Sequence, residues 1–216
     1  MKKQLAVILF LAISLQAISQ GDKYEKAMRS AISVVDTCEA KASFILAGEK
    51  FDHISEISPG EWLPYYYRAF CDIHIAMLQK VPDSIEFYAG RADVALNRAD
   101  SLSKGSSEVL CLKALNAIAK INVDYMSRAL EYSGKAHQLL EKAEELDPAN
   151  PRIYYLQGRF LYGRPKQFGG GKKAAKPYFE KAVQAFEKNN DMTSLQPHWG
   201  LKMASYLLDV CSKSED

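Results

Sequence analysis

The sequence contains few of the residue patterns from which proteins build metal or catalytic sites. Its cysteines are far apart and form no Cys-x-x-Cys pair, so a zinc site is not indicated. Its histidines form neither a His-x-x-x-His pair nor a His-Glu-x-x-His motif, and a Gly-x-Ser-x-Gly nucleophile turn is missing. The four histidines are His53, His74, His137 and His198. We therefore expect a protein that is not an enzyme and that has no metal and no cofactor.

Charge of one sign is not in excess either. The 216 residues include 28 Lys and Arg against 26 Asp and Glu, a formal net charge of +2. A nucleic-acid-binding protein normally carries a clear basic excess, so nucleic acid is not an expected partner. Alternating β-branched runs between hairpin turns are also missing, and most Gly and Pro residues fall between helical patterns. The sequence therefore predicts an all-α fold.

The first residues have the pattern of a secretory signal peptide. Lys2 and Lys3 give a positive start, and an apolar run over residues 5–15 follows, interrupted only by Ser14. Small residues at Ala17 and Ser19 then suit a cut before Gln20. A retained membrane anchor is the alternative, but a comfortable span needs about 20 apolar residues. We expect a signal peptide at 1–19 and a periplasmic or secreted product.

Each cysteine lies within an apolar helical pattern. The four are Cys38, Cys71, Cys111 and Cys211. A free thiol in such a position packs as a small hydrophobic group, which predicts buried single thiols. Because export permits disulfides and the count is even, one disulfide is the alternative.

An internal repeat organises the chain. Four segments share the spacing of a small residue, a large apolar residue four positions later, and a small or apolar residue three positions after that, which places all three on one helical face. They are Ala47–Phe51–Ile54, Ala92–Leu96–Ala99, Ala136–Leu140–Ala143 and Ala175–Phe179–Ala182. The leading alanines are 45, 44 and 39 residues apart. Small residues let a neighbouring helix approach, and the large residue fills the space between the helices.

A second pattern follows in the same register. Three pairs of a large and a small residue stand 6 and 10 positions after Pro59, Lys104 and Pro148. The pairs are Tyr65 and Ala69, Leu110 and Ala114, and Tyr154 and Gly158. Together with the junction at residues 144–151, these patterns resemble the tetratricopeptide repeat, a helix–turn–helix unit of about 34 residues. The resemblance covers most of residues 24–206.

The resemblance implies an α-solenoid of antiparallel helix pairs, with about nine helices including a closing C-terminal helix. We expect one domain over 20–216, with units at about 22–59, 60–104, 105–148 and 149–190. A capping box at 193–196, followed by Trp199, Met203 and Tyr206 on one helical face, predicts the closing helix at 193–213. The units are longer than the usual repeat of about 34 residues. The second and third therefore contain elongated helices, and the fourth contains a loop at 163–171.

The same resemblance implies a concave groove lined by the first helix of each unit. On the matching positions, the residues that we expect to bind a partner are Tyr66, Phe70, Arg152, Tyr155, Arg159 and Tyr162. Arginine and tyrosine are common at binding hot spots, and a guanidinium binds a carboxylate through two hydrogen bonds. The hypothesis is that this stripe binds an acidic or carboxylate-bearing segment. The alternative is that the tyrosines pack against a neighbouring helix.

Two functions are compatible with these patterns. The first is an exported, non-enzymatic protein–protein interaction module, a scaffold or adaptor that binds a partner segment in its groove. The second is a periplasmic solute-binding or transporter-accessory helical protein, since the loop before the last unit's second helix is similar to one in some exported tetratricopeptide proteins. Exposed aromatic stripes would also allow self-association. The glycine-rich stretch at 169–173 lacks the spacing of a nucleotide-binding loop, so we expect a structural turn, with weak anion contact as the alternative.

Overall fold

The computed structural model describes residues 21–188 and 193–213, and within those ranges the chain forms nine α-helices and no strand. Their bounds are α1 (residues 21–35), α2 (Lys41–Ile57), α3 (Trp62–Met77), α4 (Pro82–Ser103), α5 (Ser107–Ile121), α6 (Tyr125–Leu146), α7 (Pro151–Gly163), α8 (Lys172–Lys188) and α9 (Leu201–Lys213). A 3₁₀ turn at Lys166–Phe168 lies between α7 and α8. The predicted all-α fold is confirmed.

Most consecutive helices pack side by side, because short turns join them and each buries one apolar face. Helices α3, α5 and α7 also contact one another in order, so they form a continuous layer. Helices α2, α4, α6 and α8 each pack against a member of that layer. The elongated helices predicted for the middle of the chain are present, since α4 and α6 each have 22 residues.

The repeated alanine pattern forms the core between paired helices. All twelve residues of the four segments are buried, and none exposes more than 6% of its surface. Gly158 shows why the smallest residues are needed, because a Cβ atom there would lie 2.7 Å from the Phe179 ring. The absence of a side chain at this position lets α8 pack closely on α7.

The closing helix is shorter than predicted. Helix α9 begins at Leu201, not near residue 193, and Trp199 lies in the irregular segment before it. Pro197 has no amide hydrogen to donate, and Gly200 has a φ of +116°, which non-glycine residues rarely adopt, so a helix does not continue through this stretch. The capping box predicted at 193–196 is therefore wrong.

The apolar face of α9 also differs from the predicted one. Met203 and Tyr206 are 48% and 61% exposed, so they do not cover the end of the stack. The helix instead buries Ala204, Leu207 and Cys211, which lie one above another on the adjacent stripe.

Two further expectations concern export and the thiols. Residues 1–19 lie outside the described residues, so the signal peptide stays a prediction. None of the described helices has both the length and the apolar character that crossing a bilayer requires. Cys38, Cys71 and Cys111 carry free thiols, and those of Cys71 and Cys111 are fully buried.

Candidate functional site

The layer of α3, α5 and α7 is covered by the chain itself. Four of the six residues expected to bind a partner are buried, with exposures of 0–5%. They are Tyr66, Phe70, Arg152 and Tyr155. The segment at 195–199, which precedes α9, lies against this layer through backbone and side-chain contacts. We call it the covering segment.

Hydrogen bonds attach the covering segment at three points. The Tyr67 hydroxyl lies 3.3 Å from the carbonyl oxygen of Leu195 and donates to it. The Arg152 guanidinium donates to the carbonyl oxygen of Pro197. The indole Nε1 of Trp199 donates to the Tyr66 hydroxyl at 2.8 Å. The segment thus occupies hydrogen-bonding groups that an external peptide would need.

Aromatic contacts reinforce this attachment. The ring centroid of Trp199 lies 5.4 Å from that of Phe70 and 6.2 Å from that of Tyr155. The Arg152 guanidinium lies 5.4 Å from the centroid of Trp199 and 5.5 Å from that of Phe186. Each distance is within the range at which rings and cations attract one another.

A half-buried carboxylate already pairs with the arginine that was expected to bind a partner's carboxylate. Glu108 of α5 accepts from the Arg152 guanidinium at 2.8 Å, from the Asn150 amide at 2.9 Å and from the Tyr66 hydroxyl at 3.2 Å. Burial raises the pKa of Glu108, and the charge of Arg152 opposes that rise. Asn150 also caps α7, as its side-chain oxygen accepts from the amide of Arg152 at 2.9 Å. The sequence does not reveal this pairing because Glu108 and Arg152 are 44 residues apart.

The other two predicted residues, Arg159 and Tyr162, are half-buried. The Arg159 guanidinium lies 5.7 Å from the ring centroid of Tyr155, and the Tyr162 ring lies 6.4 Å from that of Phe179 on α8. Tyr162 therefore packs against a neighbouring helix, whereas Tyr155 contacts Trp199 of the covering segment. That the stripe binds a partner stays a prediction.

A separate groove opens between α6, α7 and α8, with a volume of about 350 Å³. Sequence reasoning did not identify it. Its lining includes Leu130, Gly134 and His137 from α6, Phe160 and Leu161 from α7, Arg164 directly after α7, and Tyr178 from α8. We call it the α6–α8 groove. The volume lies at the lower end of the range of roughly 300–1,000 Å³ that is usual for small-molecule sites.

The α6–α8 groove is mainly apolar and opens to solvent. Leu130 is 89% exposed and Tyr178 is 37% exposed, although both are large side chains. Met126 is 90% exposed and stands one helical turn before Leu130 on the same face of α6. Exposed apolar side chains beside a groove are typical of a binding surface.

The polar side chains that line the groove are Ser133, His137, Gln157, Arg164 and Tyr178. The Arg164 guanidinium lies 4.6 Å from the ring centroid of Phe160. The Nε2 atom of His137 lies 3.3 Å from the Glu141 carboxylate, four residues later on α6. Tyr178 adds a phenol. Such a groove suits a mainly apolar ligand that carries some polar groups.

One glycine lines the groove, and three others form the turn that follows α7. At Gly134 an added Cβ atom would meet no other heavy atom within 4 Å, so the missing side chain widens the opening. Gly169 and Gly171 have φ angles of +78° and +95°, which allow a tight turn after α7. Within that turn the amides of Gly170 and Gly171 donate to carbonyl oxygens at 3.2 and 2.8 Å. The glycine-rich stretch is thus a structural turn, and these two amides are used within it.

A charged cleft of about 560 Å³ lies between α2, α3 and α4. Arg68 donates to Asp72 at 3.0 Å and lies 3.3 Å from Asp52, while Arg91 lies 3.6 Å from Asp72. An added Cβ atom at Gly48 would overlap the Arg68 guanidinium, so this glycine makes room for it. Burial raises the pKa of Asp72 to about 7. Because these charges pair with one another across three helices, we interpret the cleft as a structural cluster.

The fold and the α6–α8 groove together define an all-helical protein with a ligand-sized surface site. Comparison with solved structures identifies a relative of similar extent, the HusA haemophore from Porphyromonas gingivalis. It has 31% sequence identity and a TM-score of 0.79, and the match covers 89% of this chain and 96% of that chain. The chain belongs to the family of this haemophore.

Comparisons with protein-family models and with curated protein sequences gave no match. The tetratricopeptide assignment and its unit boundaries therefore stay predictions.

Proposed function

We propose that this protein is an exported, non-enzymatic carrier that binds haem or a closely related porphyrin in the α6–α8 groove. The observation that carries the proposal is the groove itself, in a chain that is similar over nearly its whole length to a protein named as a haemophore. The signal-peptide pattern at residues 1–19 supports export. The repeat patterns support a tetratricopeptide-like solenoid as its scaffold.

The groove has the chemistry that a porphyrin requires. A porphyrin ring is flat and largely apolar, so it gains free energy when a wall of apolar side chains removes one face from water. Leu130 and Phe160 supply such a wall, and Tyr178 adds a second ring at the margin. Because Leu130 is mostly exposed, the groove would cover one face of the ring and leave the other accessible.

The covered layer of α3, α5 and α7 favours a small molecule over a peptide as the ligand. The covering segment already binds Tyr66, Tyr67 and Arg152 there, so a partner segment would have to displace it. The α6–α8 groove needs no such displacement. This supports the solute-binding alternative of the sequence analysis rather than the scaffold.

The test is a haem titration of the protein lacking residues 1–19, followed by the absorbance of the haem Soret band. A double variant, Leu130→Asp with Phe160→Ala, removes the apolar wall. We expect it to weaken binding by about a hundredfold or more, since each of the two large apolar side chains contributes about 1.5–3 kcal/mol when buried and 1.4 kcal/mol is tenfold in affinity.

The matched control is Leu46→Asp, because Leu46 is 54% exposed on α2 and does not line the groove. We expect it to bind haem as the unmodified protein does. If the double variant is folded by circular dichroism and binds haem as tightly as the control, the proposed site is wrong. If the unmodified protein does not bind haem, the proposed function is wrong.

A further inference from the structure

We propose that Arg164 binds a carboxylate of the ligand and thereby makes the groove selective for porphyrins with acidic substituents. This inference rests on the proposed function, which assigns the ring but not the group that recognises its edge. Haem and its metal-free parent carry propionate carboxylates along one edge of the macrocycle.

The first support is the charge of the groove. Arg164 is the only lysine or arginine that lines it in the described part of the chain, and no aspartate or glutamate lines it. The other titratable side chains of the lining are His137 and Tyr178. Glu141 pairs with His137 from α6 and is outside the lining. The lining therefore offers an anion one cation and no competing carboxylate.

The second support is the position of that cation. The guanidinium of Arg164 lies 4.6 Å from the ring centroid of Phe160, and both residues line the groove. A macrocycle lying on Phe160 would have its margin near the guanidinium. An arginine held against a ring keeps its planar donors oriented, and it can bind a carboxylate through two hydrogen bonds.

The third support is the rigidity of the backbone at this point. The Arg164 amide donates to the carbonyl oxygen of Leu161 at 3.2 Å, which closes the end of α7. The glycine-rich turn then folds back so closely that a Cβ atom at Gly170 would overlap the Arg164 carbonyl. A side chain on a fixed backbone loses less conformational entropy when it binds, so the turn lowers the entropy cost of carboxylate binding by Arg164.

The experiment compares protoporphyrin IX with its dimethyl ester, which has the same ring without the carboxylates. Binding of each is measured by quenching of protein fluorescence for the unmodified protein and for Arg164→Gln. We expect the unmodified protein to bind the diacid about tenfold more tightly than the ester, as a charged hydrogen-bonded pair typically provides. In Arg164→Gln we expect that preference to vanish through weaker diacid binding, with ester binding unchanged.

Two further measurements make the result independent of one substitution. Arg164→Lys keeps the charge but not the planar donors, so it should retain only part of the preference. Raising the ionic strength should weaken binding of the diacid by the unmodified protein and leave the ester unaffected. The control is Arg29→Gln, since Arg29 is an exposed arginine on α1 that pairs with Glu25, and it should keep the full preference.

The possible failures are distinguishable. If the unmodified protein binds both porphyrins equally, or if Arg164→Gln weakens both equally, the role of Arg164 is overturned while porphyrin binding stands. If the unmodified protein binds neither porphyrin, the proposed function fails, and this inference fails with it.

Discussion

Replacing Trp199 with alanine should loosen the covering segment from the layer of α3, α5 and α7. The substitution removes the indole that lies against Phe70 and Tyr155, together with the hydrogen bond to the Tyr66 hydroxyl. It also removes one of the two rings beside the Arg152 guanidinium. Truncating a fully buried aromatic side chain to alanine costs about 3–5 kcal/mol. Trp199 is only half-buried, so we expect the free energy of unfolding to fall by about 2–3 kcal/mol.

Urea denaturation followed by far-ultraviolet circular dichroism measures this loss. Trp199→Phe separates the contributions, because it keeps a ring but removes the N–H donor, and it should cost about 1 kcal/mol. Met203→Ala is the control, since Met203 is 48% exposed on the adjacent α9, and it should change stability by less than about 0.5 kcal/mol. If Trp199→Ala is as stable as this control, the contacts of Trp199 do not attach the covering segment to α3, α5 and α7 as described.

Two further predictions concern the core. Burial lowers the pKa of His74 to about 4, below the value of about 6.5 expected in the unfolded chain, so stability should be lost as the pH falls from about 6.5 towards 4. Urea denaturation at pH 7 and at pH 4.5 measures this loss of stability, and His74→Phe should reduce it by up to about 3 kcal/mol. An unchanged loss would contradict the lowered pKa of His74. Gly158→Ala should destabilise the protein by about 1 kcal/mol, because crowding of the Phe179 ring outweighs the better helix propensity of alanine. At Gly90 an added Cβ atom would meet nothing within 4 Å, so Gly90→Ala should stabilise the protein by up to about 1 kcal/mol. Equal effects at the two glycines would refute the packing argument.

The core could be predicted from the sequence because its signal is local. Ala136, Leu140 and Ala143 fall on one face of a helix at whatever position the helix takes in the fold, and that face is buried. The same reasoning at α7 identified Tyr154 and Gly158 as packing residues. Periodicity alone thus indicated the helical class and the inward side of α2, α4, α6 and α8, although it gave the wrong face for α9.

The covering segment could not be predicted in this way. Trp199 forms a hydrogen bond with Tyr66, which is 133 residues away in the sequence, and no short-range pattern indicates such a contact. Its spacing to Met203 suggested a helical face, but the conformation at Gly200 ends that pattern. The residues expected to bind a partner lie on α3 and α7, but the segment of the chain that contacts this layer was missed.

The α6–α8 groove was missed for a related reason. Leu130 and His137 share a helical face, which from sequence alone is typical of packing as much as of binding. Whether that face is covered depends on how far α6 and α7 separate, and this follows from the packing of three helices. The exposure of Leu130 at 89% is the signal that distinguishes the two cases, and only the structure provides it.

The central claim, that a porphyrin binds in the α6–α8 groove, is tested most directly by mapping the binding site in solution. A titration of ¹⁵N-labelled protein with metal-free protoporphyrin IX, followed by amide chemical shifts, reports the location of the ligand without relying on any substitution. We predict that the largest shifts occur at Gly134, Phe160, Arg164 and Tyr178. Shifts concentrated instead at Tyr66 and in the covering segment, or no shifts at all, would contradict the account.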